Sequence, residues 1–229
     1  MRWLAYKATV WMLRAPLLPF TRVRVLHAER ARAGGACILA PNHISHFDPP
    51  ILATLIRRHV SWMTTAGLLG TRFVGRWLRV IGCYPVDRGR ADRASVKRTL
   101  ELLARGKMTG IFSEGGIRDG AAGILGGAAP IPGLGALAQM SGAPILPCVI
   151  LGTDRLYARR SYRPFFRTPV WVGYGEPLRA SGPGKAARTD LETRYCEAMR
   201  ALCSEMTAHF RLTDDDLPKP PAQRMGKAG

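Results

Sequence analysis

The chain has 229 residues, 47% of them hydrophobic and 22% charged, with 34 Lys+Arg against 16 Asp+Glu for a formal net charge of +18. That length and apolar fraction support one domain with its own core, and they exclude a disordered chain or a miniprotein that depends on disulfides. The positive charge asks for an anionic partner, which leaves nucleic acid, an acidic lipid surface, a phosphorylated small molecule and an acidic carrier protein all open.

In chain order, residues 1–25 form an N-terminal helix and its lead-in. Trp3, Tyr6, Val10, Leu13 and Leu17 recur at steps of three and four, while Arg2, Lys7 and Arg14 interrupt the run. A helix needs about 20 predominantly apolar residues to span a bilayer, so this amphipathic one is expected to lie on a membrane surface, with its tryptophans at the headgroups. No signal-cleavage pattern follows it, and a cytoplasmic location is expected. The five cysteines, Cys37, Cys83, Cys148, Cys196 and Cys203, include no C-x-x-C pair and read as reduced core residues.

From residue 26 onward, short apolar runs alternate with helical patterns. Residues 36–41, 60–64, 83–86, 108–112, 145–151 and 170–174 read as strands, several of them apolar on both faces. Helices are expected over 49–58, 68–80, 92–105 and 134–141. The glycines and prolines of the charge-free stretch 120–153 break it into loop, short helix and buried strand. Thr189 and Glu192 have capping-box spacing before a C-terminal helix carrying Leu191, Tyr195, Leu202, Met206 and Phe210. Residues 213–229 show no apolar period and read as a mobile tail. The expectation is a three-layer α/β domain over 26–212, its mixed and largely buried sheet flanked by helices.

The chemistry concentrates in Asn42-His43-Ile44-Ser45-His46-Phe47-Asp48-Pro49. A strand ending here places His43 and Asp48 at the sheet edge where α/β folds bind ligands. Across a turn, the carboxylate reaches one imidazole nitrogen and holds the other toward a hydroxyl, the arrangement of a general base and its orienter. Asp48 before a proline also suits a helix N-cap, and the two roles are compatible.

This segment, N-H-x-S-x-x-D, resembles the first motif of the glycerolipid acyltransferase family. Gly82-Cys-Tyr-Pro-Val-Asp87-Arg88 resembles its second block, Phe112-Ser113-Glu114-Gly115-Gly116 its third, and Ala143-Pro144-Ile-Leu-Pro147-Cys-Val-Ile150 its fourth, in the family's order. The likeness implies that His43 and Asp48 are catalytic, that Arg88 contacts the acceptor phosphate, and that Glu114 helps shape the acceptor site. Asn42, Ser45, Gly115, Gly116 and Arg118 join the substrate-binding set. Two departures touch the acceptor side: Ser113 replaces the usual proline, and the arginine of the third block moves one place, to Arg118. Physically, Arg88 and Arg118 offer planar forks for a phosphate, and the two glycines allow close backbone N–H approach to an anion or developing oxyanion.

The implied reaction takes a fatty acyl chain from acyl-CoA or acyl-carrier protein to the hydroxyl of a lysophospholipid, foremost 1-acyl-glycerol 3-phosphate. Glycerol 3-phosphate or a non-phosphate lyso-lipid is the alternative acceptor. No metal or organic cofactor enters the scheme, and the site is expected on the cytoplasmic face of an anionic membrane. A hydrolase using Ser45 or Ser113 lacks the G-x-S-x-G elbow. A metal site from His43, His46 and Asp48 lacks H-E-x-x-H spacing. The dispersed basic residues show no RNA motif or zinc-finger framework, so a nucleic-acid-binding module is the remote alternative.

Overall fold

The computed structural model of the chain describes residues 2–17, 19–87, 92–163 and 166–224. Helix α1 (Arg2–Leu17) leads into strand β1 (Thr21–Leu26). There follow β2 (Cys37–Pro41), α2 (Asp48–Leu55), β3 (Val60–Thr65), α3 (Ala66–Gly70), α4 (Val74–Val80), β4 (Tyr84–Val86), α5 (Arg93–Ala104), β5 (Met108–Gly110), α6 (Leu134–Ser141), β6 (Ile145–Leu151), β7 (Thr168–Tyr174), α7 (Lys185–Phe210) and a last turn of helix, α8 (Pro221–Arg224). The strands form one sheet in the order β1-β7-β6-β2-β5-β3-β4. All neighbours are parallel except β6 and β7, so β7 and β1 oppose the other five.

The middle of this mixed sheet is dry because its strands carry no polar face: every residue of β2 and β6 is buried. Alternate side chains feed two cores. Ile38, Ala40 and Val149 join Leu134 of α6 and Leu191, Tyr195 and Met199 of α7, while Leu39, Cys148 and Ile150 join Ile51 and Leu52 of α2. The expected helix, sheet, helix layering follows from that alternation. Pro147 is tolerated inside β6 because pairing with β7 begins only at Cys148, so its missing N–H falls before that ladder.

Several elements depart from the sequence reading. Residues 21–26 are strand β1 rather than lead-in, so a domain boundary at residue 25 falls inside the sheet; their Thr-Arg-Val-Arg-Val-Leu alternation suits an edge strand with one wet side. The helix expected over 68–80 is two, because Thr71 interrupts it and its Oγ1 accepts from Gly75 N at 2.9 Å to start α4. Thr189 is no cap: α7 already runs from Lys185, through the strong helix formers Lys-Ala-Ala-Arg. Glu192 instead accepts from Gly135 N of α6 at 3.0 Å. The expected mobile tail is bound over residues 213–224 through Arg155 and Arg224, polar contacts that leave no apolar period in the sequence; residues 225–229 lie outside the described residues.

On α1 the stripe expected to face lipid is turned inward where it is described. Tyr6 is buried and Val10 and Leu13 are half-buried, while Thr9 accepts from Trp77 Nε1 of α4 at 3.1 Å. Among the described residues the exposed large apolar groups of α1 are Leu4, Trp11 and Met12. The side chains of Trp3 and Leu17 lie outside the described residues. No helix among the described residues is long and apolar enough to cross a membrane.

Candidate functional site

The loop leaving β2 lies at the C-terminal ends of the parallel strands, the edge at which α/β sheets hold ligands. Asn42 anchors it. Its Nδ2 donates to Ile150 O at 3.0 Å and its Oδ1 accepts from Ile150 N at 2.8 Å. His43 is then fixed through its backbone, the N–H donating to Glu114 Oε2 and the carbonyl accepting from Arg118 N at 2.8 Å. Its ring stacks on Phe112 with centroids 4.1 Å apart, and Phe112 stacks on Trp62 at 5.2 Å.

His43 Nδ1 lies 2.8 Å from Asp48 Oδ2. A carboxylate only accepts, so this contact selects the tautomer with its proton on Nδ1 and leaves the lone pair on Nε2. Asp48 is fully buried, and a buried charge is tolerated only when it is well hydrogen-bonded. Its Oδ2 also accepts from Ile44 N and Ser45 N, each at 2.8 Å, and its Oδ1 accepts from Thr153 Oγ1 at 2.5 Å. Asp48 is the first residue of α2 and caps nothing; the carboxylate turns back into the loop instead.

The other expected site residues divide by burial. Asn42 and Ser45 are fully buried, and Ser45 Oγ accepts from Phe47 N at 3.1 Å. Both side chains are engaged in holding the loop. Glu114 is buried and braces two segments, accepting from His43 N and, at 2.7 Å, from Ile124 N. Burial holds its carboxyl above the usual range, against the pull of the Ile124 and His43 amides. Gly115 takes a φ of 68° and donates its N–H to Phe112 O at 3.2 Å, which spends that amide within the turn. Gly116 follows half-buried, and Arg118 is exposed. Arg88 lies outside the described residues.

Phe112 and Glu114, which touch His43, also line a cavity of about 1180 Å³ whose other walls include Val96, Leu100, Ile111, Leu137 and Met140. Ordinary small-molecule sites are roughly 300–1,000 Å³, so this one has room for a larger apolar ligand. Glu114, Gly115 and Arg118 border it, and so do Arg93 and Lys97 of α5. The sequence reading missed those last two cations as site residues, and also Thr153. The signal for Arg93 and Lys97 was their spacing of four, which sets both on one helix face.

Ser113 and His46, the groups that a hydrolase or a metal site would draw on, are engaged elsewhere. Ser113 Oγ is 2.9 Å from Tyr195 OH, which in turn donates to Ala40 O at 3.1 Å, so this hydroxyl is a buried tie and addresses no histidine. His46 Nδ1 is 2.6 Å from Tyr157 OH. Among the described residues no group of three His, Cys, Asp or Glu side chains could hold a metal ion. The cysteines are free, and burial pushes the thiols of Cys37 and Cys83 up to about 11.

Residues 22–151 match the model of the family described as Acyltransferase. The chain is 28% identical over 131 residues to a 1-acyl-sn-glycerol-3-phosphate acyltransferase of Bacillus subtilis (strain 168), an overlap of 57% of this chain and 63% of the relative. It is 23% identical over 180 residues to a protein of the same description from Streptococcus pneumoniae (strain ATCC BAA-255 / R6), covering 78% of this chain and 61% of the relative. It therefore spans a little under two thirds of the length of these curated relatives. The fold is similar to that of the 1-acyl-sn-glycerophosphate acyltransferase PlsC from Thermotoga maritima, with a TM-score of 0.71 at 22% identity over 90% of this chain and 81% of that one.

Proposed function

The chain belongs to the acyltransferase family, and from that premise we propose that it transfers a fatty acyl group from a thioester carrier to the free hydroxyl of 1-acyl-glycerol 3-phosphate, forming phosphatidic acid, with His43 as general base. The observation that carries this reading is the contact of the partly buried His43 with the fully buried Asp48, 2.8 Å apart, reached through Phe112 and Glu114 from a large apolar cavity whose charged rim includes Arg93, Lys97 and Arg118. The names of the two relatives point to the same acceptor.

In this scheme His43 Nε2 takes the acceptor's hydroxyl proton as its oxygen attacks the thioester carbon. Asp48 stabilises the imidazolium that forms. The tetrahedral oxyanion collapses, the C–S bond breaks, and the thiolate leaves with the proton that Nε2 returns. A general base contributes on the order of 10²–10⁴-fold, and holding both reactants at the loop supplies much of the rest. With the Gly115 amide closed in its turn, the Gly116 amide is our candidate donor to the oxyanion.

The acceptor phosphate meets Arg118, Arg93 and Lys97, and Arg88 joins them on the strength of its motif. The acyl chains occupy the apolar walls. The donor is acyl-CoA or acyl-carrier protein, both anionic, as a net charge of +18 favours. The chain works at the cytoplasmic face of an anionic membrane. It meets that surface through Leu4, Trp11 and Met12 of α1 and through Leu68, Phe73, Val74 and Val80 of α3 and α4, all exposed, with the exposed Arg72, Arg76 and Arg79 among them.

The test is thiol release from acyl-CoA and from acyl-carrier protein in anionic vesicles, against 1-acyl-glycerol 3-phosphate, glycerol 3-phosphate and a phosphate-free lyso-lipid. Release that needs 1-acyl-glycerol 3-phosphate and is lost in His43→Ala is expected. A folded His43→Ala protein with full turnover would refute the base assignment, and release with another acceptor alone would refute the substrate.

A further inference from the structure

We propose that Thr153 is a positioning residue for Asp48, and that the strap of residues 213–224 holds it in register; this rests on the His43–Asp48 chemistry proposed above. Three loop donors, His43 Nδ1, Ile44 N and Ser45 N, all converge on Asp48 Oδ2. They fix one oxygen and leave the rotation of the carboxylate plane about it unset. Thr153 Oγ1, at 2.5 Å, is the donor to Oδ1. It comes from 105 residues further along the chain and decides how Asp48 faces the imidazole.

The placement of Thr153 is built. After β6 ends at Leu151, Gly152 turns the chain at a φ of 86°, at a point where a Cβ would sit 2.4 Å from Pro169 O. A 3₁₀ turn, Thr153–Tyr157, then lies over the His43 loop. Tyr157 OH takes His46 N at 3.0 Å and lies 2.6 Å from His46 Nδ1, so the turn meets the loop at both of its ends. Together with the Asn42–Ile150 exchange, one stretch of chain grips the loop three times.

The same turn is bolted to the strap. Asp154, fully buried, accepts from Arg224 Nε at 2.6 Å and from Lys219 N at 3.2 Å. Arg224 Nη2 also donates to Asp215 O at 3.1 Å and to Leu217 O at 3.0 Å. Arg155 Nη2 donates to Asp215 O at 2.6 Å and to Asp216 Oδ1 at 2.5 Å. A buried ion pair adds little stability over a well-packed apolar pair, whereas its directionality fixes register. Here the register being fixed is that of Thr153 on Asp48.

Steady-state kinetics of the full chain test this, with donor and 1-acyl-glycerol 3-phosphate varied in turn. Thr153→Val is expected to lower kcat on the order of tenfold, with both KM values held within about twofold, because the hydroxyl acts on the base and not on substrate. Thr153→Ser restores kcat. Arg224→Gln lowers kcat by less, and the double variant Thr153→Val with Arg224→Gln is no slower than Thr153→Val alone, since both losses pass through one contact. Full kcat in Thr153→Val, a Ser variant as slow as the Val variant, or additive losses would each overturn the proposal. If Arg224→Gln melts, the Val and Ser pair decides alone. An active His43→Ala control would place the failure in the base assignment instead.

Discussion

Four donors meet the Asp48 side chain, and this makes Asp48→Asn an informative change. The amide can turn its oxygen toward the loop N–H groups and its NH₂ toward Thr153, whose hydroxyl accepts as readily as it donates. The fold is therefore expected to survive while the countercharge for the imidazolium is lost, lowering kcat by roughly 10²–10⁴-fold. Near-normal melting with activity at that level checks it; a variant that keeps its rate would not be using Asp48 as orienter. Glu114 has a pH signature. Burial raises its folded value above the ordinary 4.5, so the folded state binds the proton more readily than the unfolded one. Its contribution to stability is then fully present below 4.5 and is lost as pH rises through the raised folded value. Relative to Glu114→Gln, which does not titrate, the wild-type melting temperature should fall across that window and level off above it; a relative rise with pH would contradict the sign. The His43–Asp48 pair was legible in sequence because five residues of turn carry it. The hydroxyl that completes it was not, since Thr153 reaches Asp48 only after β6 has come to lie beside β2. For Asn42 and Ser45 the residue type was visible in the sequence, and the loop hydrogen bonds that occupy them were not.

At the scale of elements, β5 and β3 reach the site through the stack of Trp62 on Phe112 on His43. Gly110 is the position on β5 where that stack needs an absent side chain: a Cβ there would sit 2.3 Å from Trp62 Cε3. Gly110→Ala must move the indole, and with it Phe112 and the imidazole. Overpacking of this kind costs about 1–3 kcal/mol, and misplacing a base by an ångström costs on the order of 10²-fold in rate. The expected result is a modest loss in melting temperature and a disproportionate loss of kcat. Equal and small effects on both would mean that the stack does not set the ring. The strands behind this stack were readable because buried strands are apolar on both faces, as β2 and β6 are. Strand β1 was hidden by its arginines, which on an edge strand face water. The break between α3 and α4 was hidden for a different reason: Thr71 has ordinary helix propensity, and its carbonyl and hydroxyl both accept from Gly75 N only once the chain has turned there.

For the whole molecule, charge and apolar exposure act together. The sequence carries a net +18, and each Lys or Arg near an anionic surface contributes about 1 kcal/mol of attraction, screened within a Debye length. Trp11 is 73% exposed and Phe73 is 82% exposed. Helix α1, which carries Trp11, and helix α4, which Phe73 immediately precedes, are joined by the hydrogen bond from Trp77 to Thr9. That α1 is a helix was visible in the sequence, but the choice of outward face was not, because Tyr6 is buried against the domain and Trp11 is left outside. Sedimentation with vesicles separates the two contributions. Binding to anionic vesicles should weaken steeply with added salt, and Trp11→Ser with Phe73→Ser should weaken it further at every salt concentration. Burying one large apolar side chain is worth roughly 1.5–3 kcal/mol, so each change predicts about a tenfold or greater loss. If salt alone abolished binding and the double variant matched the wild type throughout, the contact would be purely electrostatic and these aromatic side chains would not enter the interface.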